Sequence, residues 1–374
     1  MGFREEIRAW LMEACPPSMR VPARSEAEEV WGGRRATWPS PDARLWLERM
    51  AARGTIAPTW PREYGGGGLS DDDARVLEEE LRALGCRPAL RSLGLWMLGP
   101  VLLRYGNEEQ KREHLPRIAR GEIRWCQGYS EPGAGSDLAS LATRAVRDGD
   151  VYVVNGQKIW TSHADLADWM FCLVRTAPPK HEGISFLLID MASPGVRARP
   201  IRLISGASPF CETFFDEVRV PARNLVGREG QGWEIAKMLL GEERRAMSRL
   251  REQRTDDEEP LESLAARYGV GDDPLLADRI AAANLEHLAI KLTLRRGADP
   301  SVLKVAVTEA AKRRRELRVA IAGFQGLGWE GDGFSPEELA ITRDWLRSRA
   351  LSIEGGSTEI QLNIIARRVL GLPE

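Results

Sequence analysis

The chain has 374 residues, which is too long for one simple hydrophobic core and predicts two or three structural units. Hydrophobic residues make up 43% and charged residues 29%, a balance that excludes wholesale disorder. The formal net charge of -2 gives no electrostatic reason to bind nucleic acid or an anionic membrane, so neither is an expected partner.

The start of the chain and its cysteines indicate a cytoplasmic protein. Met1–Leu11 has a charged amphipathic pattern without the apolar stretch of a secretory signal, and no apolar run approaches the ~20 residues that span a bilayer. The five cysteines are odd in number, scattered and never arranged as CxxC, which favours reduced thiols over a disulfide framework or a zinc site. The four histidines lack metal-ligand spacing, so we expect no protein-bound metal.

Residues 1–121 have the pattern of an N-terminal helical domain. Asp71–Leu84 begins with acidic residues, as helix N-termini prefer, and Arg91–Tyr105 is apolar enough to be a buried helix. Ala57–Leu69, between them, is rich in proline and glycine and predicts a loop. No Gly-Lys-Ser/Thr follows its glycines, so a phosphate loop of the Walker type is not expected.

Residues 122–226 show the period-two alternation of β-strands. Val151–Val154 and Gln157–Trp160 flank Asn155-Gly156, a dipeptide that predicts a hairpin with a type I′ turn. Short strands at this spacing are typical of a small barrel or sandwich. The further strand-like runs are Met170–Arg175, Ile184–Asp190, Val196–Leu203 and Glu212–Val220.

The helical period returns in residues 227–374, which we predict to be a C-terminal helical bundle domain. The clearest helices there are Leu275–Arg295, Val302–Gly323 and Pro336–Ser348. The order is therefore helices, a small β unit, and helices again. This order predicts an α+β fold that is mostly α.

Two segments carry the most specific pattern in the sequence. The first is Trp125–Asp137, which reads WCQGYSEPGAGSD, and the second is Asn155–Ser162, which reads NGQKIWTS. The small residues of the first segment would expose N–H groups and hydroxyls to a ligand, although an ordinary surface turn has the same composition. In the second segment, Trp160 and Ser162 point to the same face of a strand, and Trp160 is either a ligand-facing plane or a core residue.

In this order and spacing, the two segments resemble the flavin-binding signature of the acyl-CoA dehydrogenase family. The resemblance extends from Trp60-Pro61 to Leu370-Gly371-Leu372-Pro373. It implies an N-terminal helical domain, a central small β-barrel and a C-terminal four-helix bundle. It also implies FAD as the cofactor, α,β-dehydrogenation of an acyl-CoA substrate in lipid catabolism, and an electron-transfer flavoprotein as the electron acceptor.

The resemblance assigns cofactor-binding roles to residues of both segments. Tyr129 and Ser130 would face the isoalloxazine ring. Gly135 and Ser136 would meet the phosphates or the thioester arm, so Ser136 is also a substrate-binding candidate. From the second segment, Trp160 would pack beside the flavin and Ser162 would bond the ring nitrogen that receives hydride.

Other cofactor residues implied by the resemblance lie in the C-terminal third. Arg267, in a loosely matching segment, and Gln325, in an echo of a glycine-rich one, would reach the flavin of a neighbouring subunit. Ser357 and Glu359 also fall on cofactor-binding positions. Because the family shares each flavin between subunits, we expect a homodimer, a homotetramer or a heteromer with a related subunit.

The family places the carboxylate that removes the substrate's α proton in one of two positions. In the C-terminal loop, anchoring on Ser357–Gln361 puts Gly355 at the base position and Glu354 beside it. In the first helix after the β-domain, Glu243 falls in register, one residue before Arg244. We therefore predict Glu243 as the catalytic base, with Glu354 as the alternative.

The resemblance also implies roles for the residues next to these two positions. The Gly355 N–H would polarise the thioester carbonyl, and Arg244 would pack near the pantetheine arm or form a helix–helix salt bridge. On the residues alone, the favoured interpretation of Glu243 is a helix-surface acid paired with a cation. A base on the helix leaves the C-terminal loop side free and favours a branched, cyclic or bulky acyl group. The alternatives are a flavin oxidase of the same fold and a non-catalytic subunit of a heteromeric dehydrogenase.

Overall fold

The computed structural model of the protein describes residues 2–23, 26–240 and 259–373. The chain divides into two compact units. The first unit comprises Met1–Ile201 and Pro209–Ala236, and the second comprises Arg202–Ser208 and Lys237–Glu374. Helices come first, a β-sheet follows and helices return, so the predicted fold class is confirmed.

The N-terminal helices of the first unit begin at residues that satisfy free backbone N–H groups. The side chains of Ser40, Ser70 and Asn107 each accept a hydrogen bond from the backbone N–H three residues later. Apolar faces then meet in a core that contains Leu11 and Trp46. The helices are α1 (Phe3–Ala14), α2 (Pro41–Ala52), α3 (Asp71–Ala83), α4 (Gly99–Tyr105) and α5 (Glu108–Ala119).

One eight-stranded sheet forms the rest of the first unit. Its order is β6-β7-β3-β2-β4-β5-β8, and β1 pairs with β4 in parallel. Alternating side chains such as Tyr152, Val154 and Val218 fill its buried face. The strands are β1 (Trp125–Gly128), β2 (Arg144–Asp148), β3 (Val151–Ser162), β4 (Trp169–Arg175), β5 (Ile184–Asp190), β6 (Val196–Ile201), β7 (Phe210–Pro221) and β8 (Leu225–Val226).

The predicted type I′ turn at Asn155-Gly156 is wrong, because β3 runs straight through this dipeptide. The hairpin between β2 and β3 turns instead at Gly149, which has φ 57°. Beside Asn155 the pairing of β3 with β7 shifts register, as in a β-bulge. Glu217 on β7 has φ 51° there, and its backbone N–H donates to Asn155 Oδ1 at 2.9 Å.

Packing explains why the dipeptide is not a turn. A Cβ on Gly156 would lie 2.7 Å from the Cα of Thr143, so glycine is needed for a close approach of two backbones. The side chain of Asn155 is also held in place, because its Nδ2 donates to Glu217 Oε1 at 2.6 Å. Contacts distant in sequence thus override the local turn preference.

The second unit is built around one long helix. α9 packs against α7, α8, α10 and α11, with Leu317 and Ile321 in the buried core. Residues 232–240 form the helix α6, which lies at the end of the described range 26–240. The later helices are α7 (Leu261–Arg267), α8 (Pro274–Arg295), α9 (Pro300–Ala322), α10 (Pro336–Ser348) and α11 (Thr358–Ile364).

Two observations concern the described residues alone. None of their helices combines the length and the apolarity needed to cross a membrane. Within the same ranges, no group of three or more histidine, cysteine, aspartate or glutamate side chains is arranged to hold a metal ion. All five cysteines are free thiols.

Candidate functional site

The first signature segment forms a loop that leaves its backbone open to solvent. Glu131 and Ala134 exchange backbone hydrogen bonds of 3.0 Å in both directions, which closes a tight turn. Beyond it, Gly135 and Ser136 are exposed. Among the described residues, a Cβ on Gly133 or Gly135 would meet nothing within 4 Å. The loop therefore offers exposed N–H groups and a hydroxyl to a ligand.

A buried ion pair ties this loop to β3. Lys158 Nζ lies 2.7 Å from Glu131 Oε1, and the two side chains are 0% and 8% exposed. The ammonium also donates to the carbonyl oxygen of Tyr129 at 3.1 Å. Glu131 accepts two further hydrogen bonds, from the N–H of Ala142 at 2.7 Å and of Thr143 at 2.9 Å. Both ends of the loop are thus held by one carboxylate.

The surroundings keep that carboxylate charged. Burial alone would raise the pKa of Glu131, but the charge and hydrogen bond of Lys158 and the bonds from Thr143 and Ala142 lower it overall. A charge with these partners is stable only while all of them stay in place. The Glu131–Lys158 pair is therefore a structural clamp for the residues beside it.

Tyr129 and Ser130 lie between β1 and this clamp. The Tyr129 ring is buried, with edge-to-face contacts to Phe171 and Phe186 at centroid distances of 6.1 and 6.5 Å. The carbonyl oxygen of Ser130 accepts from the N–H of Ile159 at 2.9 Å, and the residue is half-buried. Both residues are held rigidly, and their roles toward a flavin stay predictions.

Trp160 stands on the outer face of β3. Its side chain is 53% exposed, so it is not a core residue, and its ring meets Phe210 edge-on at 6.1 Å. Thr161, next to it, is buried and bonds the carbonyl oxygen of Cys211 at 2.8 Å, while Ser162 is half-buried. Trp160 and Ser162 are therefore both more exposed than Thr161, which lies between them.

A second bulge gives Trp160 this position. Between Lys158 and Thr161 the register with β7 shifts, and Trp160 adopts φ 60°, an uncommon left-handed conformation for a bulky residue. Such strain persists only where the surrounding structure holds it, and it is concentrated at functional sites. The bulge turns Lys158 inward and Trp160 outward within three residues.

The C-terminal loop of the second unit combines a paired acid with two left-handed glycines. Glu354 Oε2 lies 2.7 Å from an Arg347 guanidinium nitrogen. Gly355 and Gly356 have φ 67° and 96°. No atom of the described residues lies within 4 Å of a Cβ placed on Gly355, whereas a Cβ on Gly356 would lie 2.3 Å from Gln361 Nε2. Within the part of the chain that the structure describes, there is thus open space beside Gly355.

Ser357 and Glu359 begin α11. The Ser357 hydroxyl accepts from the N–H of Ile360 at 3.4 Å and caps the helix. Hydrogen bonds from its own N–H and from Ser357 lower the pKa of Glu359. The observed hydrogen bonds of both residues are those of the beginning of a helix. Their cofactor-binding roles stay predictions.

The remaining predicted residues are placed as follows. Arg267 pairs with Glu259 and lies 5.5 Å from the Tyr268 ring centroid. Gln325 is half-buried in the turn Gly323–Leu327. Glu243 and Arg244 lie outside the described residues.

Neither residue of the clamp is among the sequence-predicted site residues, although both stand inside the two signature segments. Glu131 follows Ser130 in the first, and Lys158 stands in the second at an inward position of the strand alternation that includes Tyr152 and Val154. A lysine at such a position requires an acidic partner. That requirement was the available signal.

Comparison with known proteins decides the family. Sequence models of the acyl-CoA dehydrogenase N-terminal, middle and C-terminal domains match residues 2–122, 126–218 and 230–370. The chain belongs to the acyl-CoA dehydrogenase family. It is accordingly an oxidoreductase that acts on acyl-CoA thioesters, and family membership implies a flavin cofactor and a place in lipid catabolism.

Individual relatives cover essentially the whole chain. Acyl-CoA dehydrogenase IpdE1 of Mycobacterium tuberculosis is 38% identical over 99% of this chain and 97% of its own length. The solved structure of the Tcur3481-Tcur3483 steroid ACAD is 30% identical with a TM-score of 0.77, covering 99% of this chain and 97% of that one. The ChsE4-ChsE5 complex from Mycobacterium tuberculosis is 32% identical with a TM-score of 0.74, covering 100% and 97%.

The clamp can be tested by removing its cation. Lys158→Met is expected to lower the free energy of unfolding by about 3–5 kcal/mol, because it leaves the Glu131 carboxylate buried and unpaired. The matched control is Lys180→Met, which breaks the exposed pair with Asp137 nearby and should cost no more than about 1 kcal/mol. Thermal unfolding measures both, and equal losses would contradict a structural role for the buried pair. Adding Glu131→Gln to Lys158→Met should restore part of the loss.

Proposed function

We propose that this chain catalyses the FAD-dependent α,β-dehydrogenation of a CoA thioester whose acyl group is bulky and polycyclic, of the steroid type. The observation that carries the proposal is the similarity over 99% of the chain to the solved steroid ACAD. The open C-terminal loop supports it, because glycine stands at 355, where other family members carry a carboxylate. A smaller residue at that point leaves more room for a wide acyl group.

The residues on the outer face of β3 and in the signature loop suit FAD. Trp160 offers an exposed aromatic plane for the isoalloxazine ring, and Ser162 offers a half-buried hydroxyl two residues further along β3. Gly135 and Ser136 offer uncovered N–H groups and a hydroxyl for the phosphates. When bound, FAD supplies the hydride acceptor for the substrate's β hydrogen.

Glu243 takes the α proton in this proposal. A general base must reach the proton before its basicity matters, and the carboxylate of Glu354 is engaged by the Arg347 guanidinium at 2.7 Å. Glu354 would have to leave that partner in order to reach a substrate. Its ion pair instead supports a positioning role, in which it holds the backbone of the loop beside Gly355.

The backbone of this loop would stabilise the charge that develops on the thioester oxygen. Loss of the α proton places enolate-like charge on that oxygen, and a preorganised N–H donor lowers the cost of forming it. Gly355 has φ 67°, a conformation that side chains disfavour, and no atom of residues 2–23, 26–240 or 259–373 lies within 4 Å of a Cβ placed there. Its N–H is our candidate donor.

The substrate class is tested by titrating the purified yellow protein with CoA thioesters under argon. The panel contains straight-chain, branched, single-ring and steroid-ring acyl groups. Bleaching of the visible flavin absorbance by the steroid-ring thioester at the lowest concentration is the expected result, whereas selective bleaching by a straight-chain thioester would overturn the substrate class. Reoxidation by an electron-transfer flavoprotein supports a dehydrogenase, and faster reoxidation by air would favour an oxidase.

The base is tested with Glu243→Gln. The variant should keep its bound flavin and its affinity for the thioester while the rate of bleaching falls at least about 100-fold, because the amide cannot accept the proton. Glu242→Gln, one residue earlier, is the matched control and should bleach normally. Normal bleaching by Glu243→Gln, together with loss in Glu354→Gln, would transfer the role to Glu354.

We further propose that the second unit associates with another acyl-CoA dehydrogenase chain. α8 presents Leu285, Leu288 and Leu292 to solvent, with exposed fractions of 68%, 52% and 49%. Their spacing of three and four residues makes one continuous apolar stripe, and Ile280 and Ile290 are buried elsewhere on the helix. A stripe of this kind marks an interaction surface.

The occupant is inferred from the relatives. Two structures similar to this chain are titled as pairs of proteins, ChsE4-ChsE5 and Tcur3481-Tcur3483. In addition, the family resemblance assigns Arg267 and Gln325, both in this unit, to a neighbouring subunit's flavin. A second chain of the same family thus suits the stripe, and a further copy of this chain is the first candidate.

The association is tested by light scattering on the purified protein. The wild type should have the mass of at least two chains, and Leu288→Lys combined with Leu292→Lys should reduce it to one, because two cations cannot be buried in an apolar contact. Leu166→Lys changes an equally exposed leucine of the first unit and should leave the mass unchanged. A single-chain mass for the wild type would overturn self-association.

A further inference from the structure

Two cysteines outside the proposed reaction lie against one another in the first unit. Cys15 follows the last residue of α1, and Cys86 lies just beyond α3. Both belong to the same hydrophobic cluster, in which Cys15 is 1% exposed and Cys86 is half-buried. Cys86 packs against the cluster that contains Cys15, and the two thiols interact with each other.

The backbone holds the two segments side by side. The N–H of Arg87 donates to the carbonyl oxygen of Met19 at 2.8 Å. A Cβ on Gly85 would lie 2.9 Å from the carbonyl oxygen of Arg20, so the chains approach closely here. The Arg20 guanidinium in turn donates to the carbonyl oxygen of Cys15 at 2.8 Å. The segments that carry the two thiols are therefore held side by side by the fold.

The chemistry of this pair differs from that of the other cysteines. The interaction with Cys86 lowers the pKa of Cys15 against the opposing effect of burial, and Arg20 adds to the lowering, whereas the interaction with Cys15 and burial raise the pKa of Cys86. Burial raises the pKa of Cys172 to about 12 and that of Cys211 to about 11. Only a thiolate is nucleophilic, so thiol reactivity is expected at the Cys15–Cys86 pair rather than in the sheet.

We propose that Cys15 and Cys86 form a dithiol site that hydrogen peroxide converts into a reversible disulfide. One sulfur, as the thiolate, attacks the peroxide, so that an S–O bond forms, the O–O bond breaks and one water is released after protonation. The other sulfur then attacks the sulfenic sulfur, so that the S–S bond forms and the S–O bond breaks with release of a second water. Two thiols lose two electrons, and the peroxide gains them.

The bridge would join the end of α1 to the end of α3 across most of the N-terminal helical region. Closing so long a loop removes conformational freedom from the unfolded chain and stabilises the folded one. A thiol reductant reverses it. The half-buried Cys86 provides the side from which a small oxidant reaches the pair.

The proposal is tested by peptide mapping of the full-length protein after treatment with hydrogen peroxide and blocking of the remaining thiols. Trypsin releases Cys15 in residues 9–20 and Cys86 in residues 83–91. The two peptides should be recovered cross-linked without reductant and separate after reduction. The melting temperature should rise by at least about 4 °C on oxidation and return on reduction.

Three single-cysteine variants test whether the cross-link requires both Cys15 and Cys86. Cys86→Ser should lose both the cross-link and the rise in melting temperature, and Cys15→Ala should do the same. Cys211→Ser, which also removes one thiol but leaves the pair intact, should retain both. Recovery of the two peptides as separate blocked or over-oxidised species, or a melting temperature that falls on oxidation of the wild type, would overturn the proposal.

Discussion

The contact between Glu131 and Lys158 fixes the geometry of the whole signature region. One carboxylate binds an ammonium and two backbone N–H groups, so the loop after β1 cannot leave β3 without stranding a charge in the protein interior. The exposed groups on either side, Ser136 on the loop and Trp160 on the strand, are consequently held by one rigid support. A cofactor site gains precision when its groups rest on such a support.

The helical regions were readable from sequence because their signals are local. Acidic residues in the first turn, and serine or asparagine at the cap, act within a few residues, and α3 and α10 begin where these signals place them. The Asn155-Gly156 dipeptide misled for the opposite reason. Its environment is set by Thr143 and Glu217, which local preference does not include.

In the candidate site, too, local patterns could be predicted from the sequence and long-range contacts could not. The segments that bear Trp160 and Gly135 were recognisable as patterns, and the structure places both at exposed positions. The pairing of Glu354 with Arg347 joins a loop to the preceding helix α10, and the contact between Cys15 and Cys86 joins two helix ends far apart in the chain. Such pairings depend on the packed fold, so spacing in the sequence gives no sign of them.

The two irregularities in the β3–β7 pair compensate each other. β7 has one extra residue near Glu217, and β3 has one extra residue near Trp160. The pairs Val151–Pro221 and Ser162–Phe210, at the two ends, therefore follow the same register, and only the pairs between the bulges are shifted by one residue. A one-residue insertion or deletion in only one of the two strands would leave their register unbalanced. We therefore expect length variation here as matched changes in both strands.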